Sequence, residues 1–258
     1  MLTLQDLLRT RTAQPPLNKA MYFNGTNAYI DTPLLQDSVT SYTIMVWIRT
    51  DADQGVIVQD RGDGPGKSIT LAIAPSCGDA GRLCPNSQFG VPAVGLDSEY
   101  MWIGVNATKR VNDGVWHNIA GVFSSYAGQS ITPSNFKIYV DGVDVSGATA
   151  QNGSGTSPCT GQYGTKIAYH KSWGYYLRAY IAQILIYREK ALTINEITHN
   201  MANPNNPIRD GLVLWLDARA CDTSKNICWD LSGNGNHGTM YNVQIVTLSN
   251  PVRVGGTL

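Results

Sequence analysis

Short runs in which apolar and polar residues alternate recur along most of the chain, and they predict β-strands. The clearest is SYTIMVWIRT at 41–50, in which every second residue from Tyr42 to Ile48 is apolar. A period of two indicates a strand that buries one face. Asn-Gly at 24–25 and Asp-Gly at 141–142 lie between such runs and predict tight turns. Comparable runs occupy 21–25, 28–32, 55–59, 68–74, 100–105, 117–123, 136–142, 165–169, 178–187 and 211–216.

Two segments have a helical pattern instead. Thr193 and Glu196 form a T-x-x-E capping box, and the Asn203-Pro204 pair ends the helix that follows it. Residues 1–19 predict a helical arm, which stops at Pro15-Pro16. About a dozen short strands against one or two short helices predict an all-β fold, built as an antiparallel sandwich or barrel.

Length and composition limit the possible classes of protein. The chain has 258 residues, which suits one large all-β domain or two small ones, and 43% hydrophobic residues are enough for a full core. No segment approaches the roughly 20 apolar residues of a membrane span. Asp6, Arg9 and Arg11 lie where a signal peptide would need an unbroken apolar stretch, so no recognisable signal peptide is expected.

The charges argue against nucleic acid and against catalysis. Lys and Arg total 19, Asp and Glu total 19, and no basic run exists, so neither nucleic acid nor an anionic membrane is an expected partner. Only three acidic residues are glutamates, Glu99, Glu189 and Glu196, and they do not cluster. Retaining glycosidases need two carboxylates about 5 Å apart. A protein that is not an enzyme is therefore the expectation, although an Asp-only glycosidase stays open.

The five cysteines form two closely spaced pairs and a single residue. Cys77 and Cys84 bracket six residues, and Cys221 and Cys228 bracket six more, which predicts two disulfide-closed surface loops with Cys159 left over. Five free thiols in a reducing cytosol are the alternative. The spacing does not suit zinc. Disulfides would suit an extracellular, cell-surface or virion setting, with the cytosol of a hyperthermophile as the alternative.

Several of these strand segments resemble, in sequence and in order, the laminin G-like domains of the concanavalin A-like jelly-roll superfamily of lectins and glucanases. A further segment, GLVLWLDA…WDLSGNGNHGT at 211–239, is similar to the one that usually opens such a domain, yet here it follows the helix that usually closes it. The resemblance thus implies a circular permutation: one domain at 20–258, with its opening segment at 211–247. A truncated second domain is the alternative. The segments in family order are YFNGTNAYIDTP, SYTIMVWIRT, VWHNIAGVF, FKIYVDG and YIAQILIYREKALTINEI.

The resemblance implies a two-sheet jelly-roll sandwich, and many such domains bind glycans or proteins, often through calcium. The last strand of many relatives reads G-x-I-D-[DE]-V, but here Ala182 and Gln183 replace both acidic residues. Because calcium prefers six to eight oxygen ligands, no cofactor is expected, with calcium as the alternative. The remaining candidate ligands are loop residues that also suit turns, namely Asp60, Asp63, Asp141 and Asp144.

Loop aromatics before the last long strand are the candidate contact site. Trp173, Tyr175 and Tyr176 surround Gly174, and such rings can stack on sugars or anchor a protein partner. Nearby donors could add hydrogen bonds, while ordinary packing is the alternative. The expected contact residues are His170, Trp173, Tyr175, Tyr176 and Arg178.

Together these features predict a surface-exposed structural or attachment protein with a lectin-like jelly roll. We expect it to bind glycans or a protein partner, and to self-associate or join an extracellular or virion assembly. Two alternatives are a calcium-dependent carbohydrate-binding lectin that acts alone and a glycoside hydrolase of the jelly-roll type.

Overall fold

The alternating runs form strands in the computed structural model, which describes residues 17–33, 35, 39–60, 68–73, 89–98, 101–152, 164–170 and 174–249. Most of the predicted N-terminal arm, together with Asp63, Cys77, Cys84, Cys159 and Trp173, lies outside these residues. The strands are β1 Lys19–Asn24, β2 Tyr29–Asp31, β3 Ser41–Arg49, β4 Gly55–Asp60, β5 Ser68–Ile73, β6 Pro92–Ser98, β7 Met101–Ala107, β8 Trp116–Ser124, β9 Phe136–Val140, β10 Val143–Asp144, β11 Ser146–Asn152, β12 Thr165–Ile167, β13 Tyr169–His170, β14 Tyr175–Tyr176, β15 Arg178–Arg188, β16 Leu212–Asp222, β17 Ile227–Asp230, β18 Gly238–Tyr241 and β19 Gln244–Thr247. The helix α1 spans Ile194–Ala202, and a short 3-10 turn spans Pro133–Asn135.

Antiparallel pairing arranges the long strands in two layers. In the first layer the order is β9, β8, β3 and β15, and both β1 and β16 pair with the opposite edge of β15. In the second layer the order is β18, β2, β12, β4, β5, β6, β7 and β11. Strand β17 pairs with both β16 and β18, so that the layers are joined at one corner.

The main core lies between the two layers. It is made of the inward residues of the alternating strands, including Ile44 and Ile119 from the first layer and Leu71 and Val94 from the second. The layers approach closely at Gly121, where an added Cβ would lie 2.8 Å from a methyl group of Val94. The observed architecture confirms the prediction of an all-β, antiparallel two-sheet jelly-roll sandwich.

Helix α1 covers the outer face of the first layer. The Thr193 Oγ1 accepts the Glu196 N–H at 3.3 Å, and the Glu196 carboxylate accepts the Thr193 N–H at 2.8 Å, which confirms the predicted capping box. The helix buries Ile197 and Met201 in a second apolar cluster with residues of β3, β8 and β15 such as Met45. No helix within the described ranges is long and apolar enough to cross a membrane.

Residues after the helix add strands to the same sheets. Strand β16 pairs with β15, β18 with β2, and β19 with β1, where Lys19 lies opposite Thr247. A disulfide joins Cys221 of β16 to Cys228 of β17, as the cysteine spacing predicted. The division of the chain into a helical arm and one permuted domain stays a prediction.

Candidate functional site

The predicted contact residues fall into two neighbouring parts of the surface. Strands β13 and β14 form a small hairpin in which Tyr169 is opposite Tyr176 and His170 is opposite Tyr175. The Gly174 N–H donates to the His170 carbonyl oxygen at 2.9 Å and closes the turn. In this hairpin His170 is buried, whereas 47% of Tyr175 is exposed.

Four tyrosine rings pack together at this hairpin, two from the hairpin itself and two from β2 and β18. We call them the tyrosine cluster: Tyr29, Tyr169, Tyr176 and Tyr241. The ring centroids of Tyr29 and Tyr241 are 4.4 Å apart, and those of Tyr169 and Tyr176 are 4.5 Å apart. Tyr29 and Tyr169 join the two pairs at 5.0 Å. Burial, together with the neighbouring Tyr241 and Asp31, raises the pKa of Tyr29, so its hydroxyl stays protonated at neutral pH.

Arg178 belongs to a different feature, a cavity of about 290 Å³ at the junction of β1, β3 and β15. The strand registers produce it, because Tyr22 lies opposite Tyr180, Tyr180 lies opposite Arg49, and Arg49 lies opposite Trp116. The four side chains thus make a row across four strands. The cavity is lined by Tyr22, Arg49, Thr50, Asp51, Gly114, Arg178, Ala179 and Tyr180.

A guanidinium group lies between aromatic rings in this row. The rings of Tyr22 and Tyr180 have centroids 4.8 Å apart. The Arg49 Cζ lies 4.3 Å from the centroid of Tyr180 and 5.6 Å from the ring of Trp116, within the range of cation–π attraction. The Arg49 charge is therefore held in place by two rings.

The rim of the cavity carries exposed charged groups on a fixed backbone. Asp51 Oδ1 accepts a hydrogen bond from Arg178 Nε at 3.1 Å and lies 3.0 Å from Nη2, and both side chains are more than half exposed. Beneath them, the Thr50 hydroxyl donates to the Arg178 carbonyl oxygen at 2.6 Å, and the Gly114 N–H donates to the Thr50 carbonyl oxygen at 3.0 Å. The backbone is tied down, while the two charged side chains remain accessible to a ligand.

A buried histidine anchors the wall that contains Gly114. His117 Nδ1 lies 2.8 Å from Asp141 Oδ2, and Nε2 lies 3.2 Å from Asp113, the residue before Gly114. Burial disfavours a charged imidazole, but the hydrogen bonds and charges of the two carboxylates outweigh it and raise the pKa of His117. Burial likewise opposes ionisation of Asp141, yet His117 and Lys109 lower its pKa to about 2. The two carboxylates therefore favour the protonated form of the His117 ring.

Two of the candidate calcium ligands, Asp141 and Asp144, have protein partners. Asp141 accepts from His117, from Lys109 at 2.8 Å and from the Asn118 N–H at 3.0 Å. Asp144 accepts from the Ser146 N–H at 3.0 Å and lies 3.5 Å from Lys137. In the described part of the chain, no group of three or more His, Cys, Asp or Glu residues is arranged to hold a metal ion. The expectation of no cofactor, with calcium as the alternative, stays a prediction.

Sequence reasoning identified Arg178 but not the other side chains of the cavity. Arg49, Asp51 and Tyr22 lie in segments far from Arg178 along the chain, and only the pairing of β1, β3 and β15 brings them together. Alternation could have placed Arg49 and Tyr22 on the outer faces of their strands. It could not have given the register that makes them neighbours.

Comparisons with known proteins give one family. A laminin G family model, described as the concanavalin A-like lectin/glucanases superfamily, matches residues 24–198. A comparison with curated protein sequences finds no match.

Solved structures that are similar to this chain have low sequence identity to it. A presumed carbohydrate-binding protein from Bacteroides ovatus is 21% identical with a TM-score of 0.66, over 93% of this chain and 63% of that one. Domains LG4-5 of the mouse laminin α1 chain are 15% identical with a TM-score of 0.47, over 68% of this chain and 43% of that one. A heptameric SAP-like pentraxin from Limulus polyphemus is 16% identical with a TM-score of 0.47, over 73% of this chain and 83% of that one. This chain thus spans less than two thirds of the Bacteroides protein.

Proposed function

Because this chain belongs to the concanavalin A-like lectin/glucanases superfamily, we propose that it is a non-catalytic carbohydrate-binding protein and that its cavity beside β1, β3 and β15 binds the glycan. The observation that carries the proposal is the composition of this cavity, in which tyrosine rings adjoin exposed, hydrogen-bonding charged groups. The carbohydrate-binding name of the Bacteroides structure agrees with it.

The lining of the cavity suits a sugar in two ways. Tyr22 and Tyr180 give the cavity an aromatic wall, against which the C–H face of a pyranose can pack. Asp51 and Arg178 can accept and donate hydrogen bonds to hydroxyl groups. The volume of about 290 Å³ is near the lower limit of small-molecule sites, about 300 Å³. We therefore expect the cavity to hold one sugar residue, at a chain end or a branch.

The same lining argues against hydrolysis at this cavity. Glycosidases place two carboxyl groups on either side of the bond to be cleaved, about 5 to 10 Å apart. Asp51 is the single carboxylate among the described residues that line the cavity, and it is paired with Arg178. One paired carboxylate cannot serve as both acid and nucleophile, so the proposal is binding without turnover.

A glycan array tests the proposed function. We expect the purified protein to bind a defined set of glycans, and an array run with calcium and with a chelator separates a calcium-dependent lectin from a calcium-independent one. Replacing Tyr180 with Ala should weaken binding about tenfold or more, because the packing surface is lost. Tyr126→Ala is the matched control, since this tyrosine is 69% exposed and does not line the cavity. A blank array under both conditions would reject the proposal.

We propose an extracellular or cell-surface location for the same protein. The disulfide between Cys221 and Cys228 supports it, because such bonds persist mainly outside reducing compartments. Thiol labelling of protein taken directly from its native source tests this: the two cysteines should be protected until a reductant is added. Free thiols at both positions would contradict the location.

Self-association is a second candidate function, favoured by the tyrosine cluster. Tyr241 is 41% exposed and Tyr175, beside the cluster, is 47% exposed, so aromatic surface is available for contact with another subunit of an extracellular or virion assembly. Light scattering over a wide concentration range should show oligomers, and the double substitution of Tyr175 and Tyr241 by Ser should reduce them. A stable monomer at high concentration would reject this candidate without affecting the glycan proposal.

A further inference from the structure

Arg49 is a cation in the cavity that is held by aromatic rings and has no carboxylate partner among the described residues. Its guanidinium group lies against the rings of Tyr180 and Trp116, and within the described ranges no acidic side chain is at ion-pair distance. The other cation of the cavity, Arg178, is paired with Asp51. The cavity therefore carries a net charge of one positive unit, located on Arg49.

Three other partly buried cations differ from Arg49, because each has a carboxylate partner that balances its charge. The pairs are Lys166–Asp31, Lys190–Glu196 and Arg219–Asp217. Arg49 has aromatic neighbours in place of a carboxylate, and these rings hold the cation without cancelling its charge.

On the strength of the proposed glycan-binding function, we propose that the cavity selects an acidic sugar, one that carries a carboxylate or a sulfate group, and that Arg49 receives this anionic group. The guanidinium group is charged at all physiological pH values and offers a planar set of five donors that matches a carboxylate or sulfate. The sugar ring packs against the wall that Tyr180 and Tyr22 form, while its acidic group supplies the anionic partner that Arg49 lacks among the described residues.

Matched oligosaccharides measure this selectivity. The probes are an unsulfated hexasaccharide that contains glucuronate, the same hexasaccharide after its carboxyl groups are reduced to neutral alcohols, and a sulfated oligosaccharide with a neutral backbone. Isothermal titration should show that a charged probe binds about tenfold or more tightly than the neutral one, because a hydrogen bond to a charged group is stronger. Comparing the glucuronate and sulfate probes shows which anionic group is preferred.

Three substitutions assign the selectivity to Arg49. In Arg49→Gln the ratio of the acidic to the neutral affinity should fall close to one. In Asp51→Asn the ratio should rise, because a negative charge at the rim is removed. The matched control is Arg110→Gln, since Arg110 is an exposed arginine that does not line the cavity and its loss should leave the ratio unchanged. Circular dichroism and thermal melting establish that each variant is folded.

The possible outcomes separate this inference from the function on which it rests. Neutral and acidic probes that bind equally well, or a ratio that Arg49→Gln does not change, would overturn the selectivity while leaving glycan binding intact. Failure of every probe, together with a blank glycan array, would instead overturn the proposed function itself. A ratio that falls equally in Arg110→Gln would show a general effect of surface charge and would also overturn the assignment to Arg49.

Discussion

Replacing His117 with Gln should destabilise the fold by an amount that depends on pH in a defined way. The imidazolium of His117 bridges Asp141 and Asp113, and it joins the start of β8 to the turn after β9. Glutamine is similar in length but carries no charge, so the substitution removes the ionic part of the contact. The test concerns the free energy of unfolding and not the binding of a ligand.

The pKa values give the size and the sign of the effect. The Asp141 pKa falls from 3.8 to about 2, which corresponds to about 2 kcal/mol of stability at full effect. This contribution is present above pH 3.8 and is lost as the pH falls toward 2. The pKa of His117 is raised above 6.5, so its contribution is present below pH 6.5 and is lost as the pH rises through the raised pKa. Both contributions are complete between roughly pH 4 and pH 6.5.

Urea unfolding followed by tryptophan fluorescence, at pH values from 3 to 9, measures the effect. The difference between the wild type and His117→Gln should be about 1 to 2 kcal/mol between pH 4 and 6.5, because Lys109 and the Asn118 N–H supply part of the full value and solvent screens part of it. It should decline on both sides of this range. Lys137→Gln is the control, since the Lys137–Asp144 pair is largely exposed and should contribute little at any pH. A difference that stays constant, or that grows above pH 7, would refute a charged His117 in the folded state.

Three further changes test other parts of the fold by thermal or chemical unfolding. Reducing the Cys221–Cys228 disulfide opens a loop of eight residues and should cost about 2.5 kcal/mol; an unchanged melting temperature in reductant would contradict this. Asn200→Ala should lower the free energy of unfolding by about 2 to 4 kcal/mol, because this buried amide donates to Tyr187 Oη at 2.9 Å and accepts the N–H of Ile208. A smaller loss of stability in Asn200→Ala than in Tyr187→Phe would contradict this. Gly164→Ala should lower stability by about 1 to 3 kcal/mol, since its Cβ would overlap the Thr32 carbonyl oxygen; a neutral result would contradict that placement.

The individual elements could be predicted from the sequence because their signals are local. The alternation at 41–50 corresponds to β3, and the T-x-x-E box at Thr193 corresponds to the start of α1. The spacing of Cys221 and Cys228 likewise corresponds to a bond between two strands joined by a short loop. Each of these features depends on residues within about ten positions of one another.

The candidate cavity could not be predicted because it depends on the registers of distant strands. Tyr22 and Tyr180 are opposite each other only because β1 pairs with β15 in one particular register. Arg49 lies opposite Tyr180 because β15 pairs with β3 in a register that contains one irregularity, between Ile181 and Gln183. A shift of one residue would turn these side chains to the other face. The tyrosine cluster likewise needs β2 beside β18, which are far apart in the chain.

The pairing of β1 has a consequence for folding during synthesis on the ribosome. Its partners are β15 and β19, and Thr247, which pairs with Lys19, follows it by 228 residues. Because synthesis proceeds at about 5 to 20 residues per second, β19 is completed on the order of 10 to 50 s after β1. During that time its edges are open to other nascent chains. The layer that carries the cavity can therefore close only after β19 has been synthesised, and chaperones that shield early strands should raise the yield of folded protein.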